Sequence, residues 1–387
     1  MEFIYFDHIS GTPLHPLVKE AMIKYIEENG FGNPSSQHRL GDAAIETLNN
    51  ARENVAKLIN AKPEEIVFTS GGTESINHAI KGVAFARAKK GKHIITSNIE
   101  HQSVSRTLRV LMRMGYQVTT MPVDSYGVVD PSDVEKAIRD DTILITIMHA
   151  NNEIGTIEPI EEIGKIARQR NIIFHTDAVA SCGNIPIDVN ELNVDLLSLS
   201  ANQFYGPPGV GALYIREKTP IFPLIDGGTQ ENNQRAGTQN ILGIVGMGKA
   251  ASLAKAEMPE RTEHLLKLKR YFLDKLGTID DIIVNGHPEK SLPGLVSFSV
   301  EYVEGESMMI MLDEKGICVS TRSACASGSL RASHVLIAIG RDYATAQGTL
   351  LFSFGIFNTI EQIDKAFVVL EETIKFLRNI SPLYKKK

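Results

Sequence analysis

Five polar side chains stand directly after predicted strands, where parallel sheets bind small molecules. They are Thr73, His101, Asn152, Asp177 and Ser200, and each follows a short run of mostly apolar, β-branched residues. The carboxyl ends of parallel strands meet at one edge of the sheet, so we expect these side chains to lie close together. A carboxylate, an imidazole, an amide and two hydroxyls suit a flat aromatic ring that carries a phosphate.

Each of these residues also has a plainer interpretation. The Gly71-Gly72-Thr73 turn opens a predicted helix, whose first N–H groups would bind an anion, but it could be an ordinary tight turn. Asp177 could pair with a protonated ring nitrogen or simply cap the next helix. His101 could stack on a ring or be a structural histidine, and Asn152 could belong to a hydrogen-bonded turn. Their joint placement favours a site for a phosphate-bearing aromatic cofactor.

A second candidate centre is a thiol. Residues 320–329 are small and polar and include Cys325, which predicts an accessible loop with a reactive cysteine. Cys182 and Cys318 have apolar neighbours and are predicted to be inert core thiols. Three cysteines in 387 residues exclude a disulfide scaffold and indicate a reducing compartment.

The elements that must position these residues alternate between strand and helix from about residue 40. This alternation predicts an α/β fold with a mainly parallel sheet over residues 13–255. Residues 1–12 and 256–387 are predicted to form a smaller α+β domain that carries the cysteine segment. Asp42 is predicted to cap the first long helix of the large domain, and Pro159 to occupy the first turn of a later helix.

Composition narrows the class of protein. Lys and Arg number 40 and Asp and Glu 46, and the resulting charge of −6 argues against a broad basic surface for nucleic acid or anionic membrane. The chain contains no run of 18 apolar residues and no basic, apolar leader at its start. We therefore expect a cytoplasmic protein.

Several long motifs resemble those of one family. The chain is similar, nearly end to end, to the cysteine desulfurases of the NifS/IscS type, which belong to the class V aminotransferase-like fold of pyridoxal phosphate enzymes. The resemblance implies fold type I, with a large domain built on a mainly parallel sheet and a smaller α+β domain. The matching stretches are residues 31–36, 68–75, 149–156, 175–178, 205–207, 235–238 and 323–325.

The resemblance implies a phosphate site at two strand ends and across a subunit boundary. Thr73 and Ser200 would bind the cofactor phosphate, and Thr238 would reach it from the partner subunit of a homodimer. Asn202 occupies the position of the family's phosphate-binding histidine, since the family's Ser-x-His-Lys is here Ser-Ala-Asn-Gln.

The resemblance also assigns the cofactor ring and the thiol. His101 would stack on the pyridine ring, Asp177 would pair with its nitrogen, and Asn152 would lie beside its hydroxyl. Cys325 would attack the substrate sulfur and carry a persulfide. Ala180 replaces the family's glutamine, which removes one hydrogen bond to the ring hydroxyl.

Two further departures fall on the chemistry itself. Gln203 stands at the position of the Schiff-base lysine, and an amide nitrogen is not a competent nucleophile. Ile356 stands where the family has the arginine for the substrate carboxylate, which an isoleucine side chain cannot bind. Since no lysine occurs between Lys165 and Lys218, a substitute lysine would have to fold in from elsewhere.

Three hypotheses follow. The first, which we favour, is a pseudoenzyme-like desulfurase homologue in iron–sulfur cluster assembly and sulfur transfer, which docks a scaffold or acceptor protein. In it Cys325 is a persulfide carrier loaded from another source, or an iron–sulfur ligand, and ordinary desulfuration of free cysteine is lost. The second is an enzyme that uses non-covalently held pyridoxal or pyridoxamine phosphate on a different substrate. The third is a non-catalytic structural partner.

Overall fold

The computed structural model describes residues 3–28, 30–321, 332–382 and 384. Its helices are α1 (Pro16–Glu27), α2 (Arg39–Leu58), α3 (Gly72–Ala86), α4 (Gln102–Arg113), α5 (Pro131–Lys136), α6 (Ile160–Gln169), α7 (Ile241–Ala256), α8 (Met258–Leu276), α9 (Gly305–Glu314), α10 (His334–Ala338), α11 (Tyr343–Gln347) and α12 (Ile360–Ile380). Its strands are β1 (Ile4–Tyr5), β2 (Ile66–Thr69), β3 (His93–Ser97), β4 (Gln117–Met121), β5 (Thr142–Thr146), β6 (Ile173–Asp177), β7 (Leu196–Ser200), β8 (Gly211–Ile215), β9 (Ile282–Asn285), β10 (Leu295–Val300), β11 (Ile317–Cys318), β12 (Ser320–Thr321) and β13 (Thr349–Ser353).

The central sheet has seven strands in the order β2-β8-β7-β6-β5-β3-β4. The strands from β7 to β4 pair in parallel, as the alternating sequence predicts. Strand β8 runs antiparallel to both of its neighbours, β2 and β7. Strands β2 and β7 consequently point the same way, so their carboxyl ends lie at the same edge of the sheet.

Helices cover both faces of this sheet. All five side chains of β5 are buried, as expected for a central parallel strand. The apolar stripe of Val104, Leu108 and Leu111 on α4 is buried against the sheet. The mainly parallel α/β architecture is therefore confirmed.

Two predicted helix starts are wrong. Helix α2 begins at Arg39, because the His38 Nδ1 accepts the Gly41 N–H at 3.2 Å and caps the helix, which leaves Asp42 in the first turn. Helix α6 begins at Ile160, and Pro159 is its N-cap residue. Local composition indicated both helices but placed their first residues imprecisely.

A second, antiparallel sheet has the order β12-β13-β10-β9 and packs with α8, α9 and α12 around its own apolar cluster, which includes Phe272, Phe298 and Phe352. The N-terminal segment contacts both sheets, since the Phe6 carbonyl accepts the N–H of Ser353, in β13, at 2.7 Å. Strand β1 pairs in parallel with β11, while Thr12 donates from its N–H and its hydroxyl to the carbonyl of Asn202 at 2.8 and 2.9 Å. The division at residues 12 and 255 stays a prediction.

Within the described ranges, no helix combines the length and the apolar character needed to cross a bilayer.

Candidate functional site

A cleft of about 370 Å³ opens at the carboxyl edge of the central sheet. It brings together seven of the residues singled out from sequence: Thr73, His101, Asn152, Asp177, Ser200, Asn202 and Gln203. Ala180, one of the noted departures, also lines it. Sequence reasoning missed Ser103 and Met148 as lining residues, although Ser103 lies only two positions after His101, in the first turn of α4.

The turn between β2 and α3 offers an anion site at this edge. Gly71 has φ of 149°, which favours glycine, and it precedes the first helical residue, Gly72. A Cβ on Gly72 would lie 2.6 Å from the Cγ2 of Val179, so glycine allows the helix start to approach the segment after β6. The first N–H groups of α3 and the Thr73 side chain therefore face a common space with that segment.

Asp177 ends β6 at the base of the cleft. Its carboxyl group accepts the N–H of Val179 at 2.9 Å, and burial raises its pKa to about 6. Two residues earlier, His175 is hydrogen-bonded to the hydroxyls of Thr146 at 2.8 Å and Ser198 at 2.9 Å. Burial lowers the pKa of His175 to about 3, so a neutral network ties β6 to β5 and β7.

His101 is the N-cap residue of α4. Its Nδ1 accepts the N–H of Ser103 at 3.1 Å, and the Ser103 hydroxyl lies 2.7 Å from the same nitrogen. Because an N–H is donated to Nδ1, the proton of the neutral ring is on Nε2. His101 therefore has a structural role as a helix cap, and it lines the cleft as well.

The Asn151–Glu153 segment both forms a hydrogen-bonded turn and contributes a residue to the cleft. Asn151 is buried and makes a hydrogen-bonded turn, since its Oδ1 accepts the N–H groups of Glu153 at 2.8 Å and Ile154 at 3.0 Å. Asn152 instead lines the cleft.

Two neighbouring amides follow β7, in a 3-10 turn spanning Ala201–Gln203. The Ser200 hydroxyl donates to Oδ1 of Asn202 at 2.7 Å. The side-chain nitrogen of Gln203 donates to the carbonyl oxygen of Ile9 at 3.1 Å. This position therefore joins the sheet edge to the N-terminal segment and presents no amine.

Among the described residues that line the cleft, none is a lysine or an arginine. Ile356 is half-buried and is not a lining residue, and its N–H donates to the Tyr205 hydroxyl at 2.8 Å. Lys269 is half-buried, but its Nζ donates to the Ser291 hydroxyl at 2.7 Å and to the Leu292 carbonyl at 3.0 Å. No described lysine therefore substitutes for Gln203 in this cleft.

A buried carboxyl group that sequence reasoning did not single out lies behind His101. Glu100 is 2% exposed, and its Oε1 accepts from the Ser97 hydroxyl at 2.6 Å and the Met148 N–H at 2.9 Å. Burial, with a smaller contribution from Asp177, raises its pKa to about 8. Its position directly before His101 in the sequence could have indicated that Glu100 lies near the cleft.

The predicted thiol centre, Cys325, lies outside the described residues. Cys182 is buried, and burial raises its pKa to about 12, which confirms the inert core thiol. For Cys318 the prediction of a core thiol is wrong. It is only half-buried, although Ile317 beside it in β11 is buried.

Thr238 does not line the cleft of its own chain and is exposed. Its segment is anchored near the β2–α3 turn, because Arg235 donates to the Glu74 carboxylate at 2.9 and 3.4 Å. A contribution of Thr238 to a partner's cleft stays a prediction.

The lining residues fit a pyridoxal-type ring with a phosphate. Helix N–H groups, the Thr73 hydroxyl and the Asn202 amide suit the phosphate, while the buried carboxyl of Asp177 suits a ring nitrogen. Covalent attachment does not fit, because Gln203 supplies an amide where an amine is needed.

The chain matches the Aminotransferase class-V family over residues 4–366. It is 54% identical over 385 residues to cysteine desulfurase IscS of Dictyoglomus turgidum, which covers 99% of this chain and 97% of that protein. It is 46% identical over 382 residues to cysteine desulfurase IscS 1 of Archaeoglobus fulgidus, covering 99% and 100%. A solved NifS-like protein is 40% identical with a TM-score of 0.91 and covers 97% of this chain and 100% of that one. The chain therefore belongs to the class V aminotransferase family and has the fold of its NifS/IscS-type members.

Proposed function

We propose that this chain is a sulfur-transfer protein of iron–sulfur cluster assembly that no longer releases sulfur from free cysteine. Its relatives are named cysteine desulfurases, and that is the support for sulfur chemistry. One observation supports the proposed loss of sulfur release. The described residues that line the cleft include no lysine or arginine, and Gln203 is hydrogen-bonded to Ile9.

The missing amine and the missing guanidinium affect different parts of one reaction. When bound covalently, a pyridoxal cofactor supplies an electron sink that makes bonds of an amino acid labile. Gln203 cannot form that covalent link, and Ile356 cannot bind the carboxylate of free cysteine. What the remaining residues do is bind and orient: Asp177 holds a proton or pairs with a ring nitrogen, and Thr73 and Asn202 bind an anion.

The sulfur is carried by Cys325 in this proposal. Its thiolate attacks the outer sulfur of a donor persulfide, a new S–S bond forms on Cys325, and the donor leaves as a thiolate. The step conserves electrons, so it needs no further oxidant. The same persulfide passes its outer sulfur to an acceptor or scaffold protein by a second exchange, and a homodimer completes each cleft with Thr238.

Persulfide loading tests this role directly. Anaerobic protein is incubated with glutathione persulfide, and the added sulfur atom is mapped by mass spectrometry after alkylation. We expect one added sulfur on Cys325 of the wild type and none at this position in Cys325→Ser. The matched control is Cys318→Ser, which removes a half-buried thiol and should leave the loading of Cys325 unchanged.

Absence of sulfur from Cys325, or equal loading of the Cys325→Ser variant elsewhere, would contradict the carrier role. Visible charge-transfer bands that are lost in Cys325→Ser but not in Cys318→Ser would instead assign Cys325 as an iron–sulfur ligand.

A further inference from the structure

Two adjacent amides at the end of β7 have opposite orientations, and their partners determine them. A carbonyl oxygen only accepts hydrogen bonds, so the atom of Gln203 that lies 3.1 Å from the Ile9 carbonyl must be its nitrogen. Gln203 lines the cleft, and its Oε1 is left as an acceptor that no hydrogen bond among the described residues uses. Asn202 has the reverse arrangement, because its Oδ1 accepts the Ser200 hydroxyl and its NH₂ is left as a donor.

The backbone that carries these amides is held in place. The carbonyl of Asn202 accepts both the N–H and the hydroxyl of Thr12, at 2.8 and 2.9 Å. The same hydroxyl accepts the N–H of Tyr205 at 2.7 Å. The backbone of the turn that carries Asn202 and Gln203 is therefore anchored to the N-terminal segment.

The charge of the cleft also favours a ligand that carries a positive group. Its described lining contains the Asp177 carboxyl group and no lysine or arginine. A bound pyridoxal-type phosphate would add negative charge to the cleft. Positive charge in the cleft must then come from the ligand, and an acceptor at Gln203 suits a ligand that carries an ammonium group.

We propose that the cleft selects the amine form of the cofactor, pyridoxamine 5′-phosphate, over the alcohol and aldehyde forms. The ligand's ammonium group donates to Oε1 of Gln203, and its phosphate accepts from the amide of Asn202 and the start of α3. No bond to the protein forms or breaks. This inference rests on the part of the proposed function in which the cleft holds its cofactor non-covalently.

Two inert ligands test the selection. Pyridoxamine 5′-phosphate and pyridoxine 5′-phosphate differ only in an aminomethyl or a hydroxymethyl group, and neither reacts with lysines. Isothermal calorimetry on dialysed full-length protein should give at least about tenfold tighter binding of the amine, since one charge-assisted hydrogen bond is gained. Equal affinity for both ligands, or no binding of either, would overturn the inference.

Variants locate the effect. Gln203→Met keeps the side-chain length without the acceptor and should reduce the amine-to-alcohol affinity ratio to about one. The matched control Asn202→Ala should weaken both ligands by a similar factor and keep the ratio, because both carry the phosphate. A ratio that survives Gln203→Met would contradict the assigned contact.

The experiments distinguish a failure of the amine selection from a failure of the proposed sulfur-transfer function. A ratio near one in the wild type overturns the amine selection and leaves sulfur loading of Cys325 untouched. Alanine production from cysteine would overturn the proposed function whatever the two affinities are.

Discussion

The ends of β6 and β7 lie side by side in the central sheet and differ in chemistry. The two strands pair in parallel, with Asp177 opposite Ser198. The β6 end has a buried carboxyl group supported by a neutral network around His175. The β7 end continues into the turn with Asn202 and Gln203, which has no ionisable side chain.

In the proposed function, ring recognition belongs to the β6 end and the position of the lost covalent chemistry to the β7 end. The network through His175 lies inside the sheet, whereas Asn202 and Gln203 lie beyond the last residue of β7. Substitutions at either strand end should separate the two contributions, and we expect the largest effect at Gln203.

Gln203→Lys should convert the β7 end to covalent chemistry. If the β6 end still orients a ring, added pyridoxal 5′-phosphate should attach to the new amine in one copy per chain. The measurement is peptide mass spectrometry after borohydride reduction, with Gln203→Met as the control that should give no attachment at this position. Lack of attachment in the lysine variant would mean that the β6 end no longer presents the ring.

Asp177→Asn should weaken binding of pyridoxamine 5′-phosphate by roughly ten- to a hundredfold, because a hydrogen bond to a charged group is lost. Calorimetry measures the change, and Asp140→Asn, which alters an exposed carboxylate, is the control. If the two variants bind alike, the β6 end does not recognise the ring.

The buried carboxyl group of Glu100 should make the stability of the folded chain depend on pH. The β7 turn has no ionisable side chain and should make no such contribution. Burial raises the pKa of Glu100 from its ordinary value of 4.5 to about 8 in the folded chain. Between these two values the unfolded chain has released this proton and the folded chain keeps it, so stability falls as pH rises through this window. Glu100→Gln removes that loss and should gain about 2–3 kcal/mol relative to the wild type between about pH 6 and about pH 9.

Urea unfolding at both pH values measures this difference. Glu161→Gln on the exposed face of α6 is the control and should show no such gain. A constant offset between Glu100→Gln and the wild type at both pH values would contradict a raised pKa for Glu100.

Ala180→Gln should give the smallest effect. Ala180 lines the cleft after β6, and a glutamine there would add a hydrogen-bonding group beside the ring hydroxyl. We expect about two- to tenfold tighter binding of pyridoxamine 5′-phosphate by calorimetry. Unchanged or weaker binding would show that the ring hydroxyl does not approach this position.

Much of the cleft was predictable, because alternating strands and helices place Thr73, Asn152 and Asp177 at one edge whatever the details of packing. The direction of β8 was not, since antiparallel and parallel pairing give the same apolar run in Gly211–Ile215. The resemblance indicated the loss of the lysine at Gln203. The orientation of its amide depends on Ile9, 194 residues earlier in the chain, and no local pattern encodes that contact.

The thiols show the same limit. Cys182 and Cys318 both have apolar neighbours, yet only Cys182 is buried. Cys318 ends β11, which pairs with the distant strand β1, and no local pattern encodes which side chains pack over it.

Sulfur release from free cysteine is the activity that we infer to be lost while the fold of the family is retained. Alanine formation tests this inference most directly. Purified full-length protein is incubated with cysteine, a thiol reductant and pyridoxal 5′-phosphate, and alanine is quantified beside a NifS-like enzyme as the positive control. We expect no more alanine than in the protein-free reaction, and repeated turnover to alanine by the wild-type chain would contradict the loss.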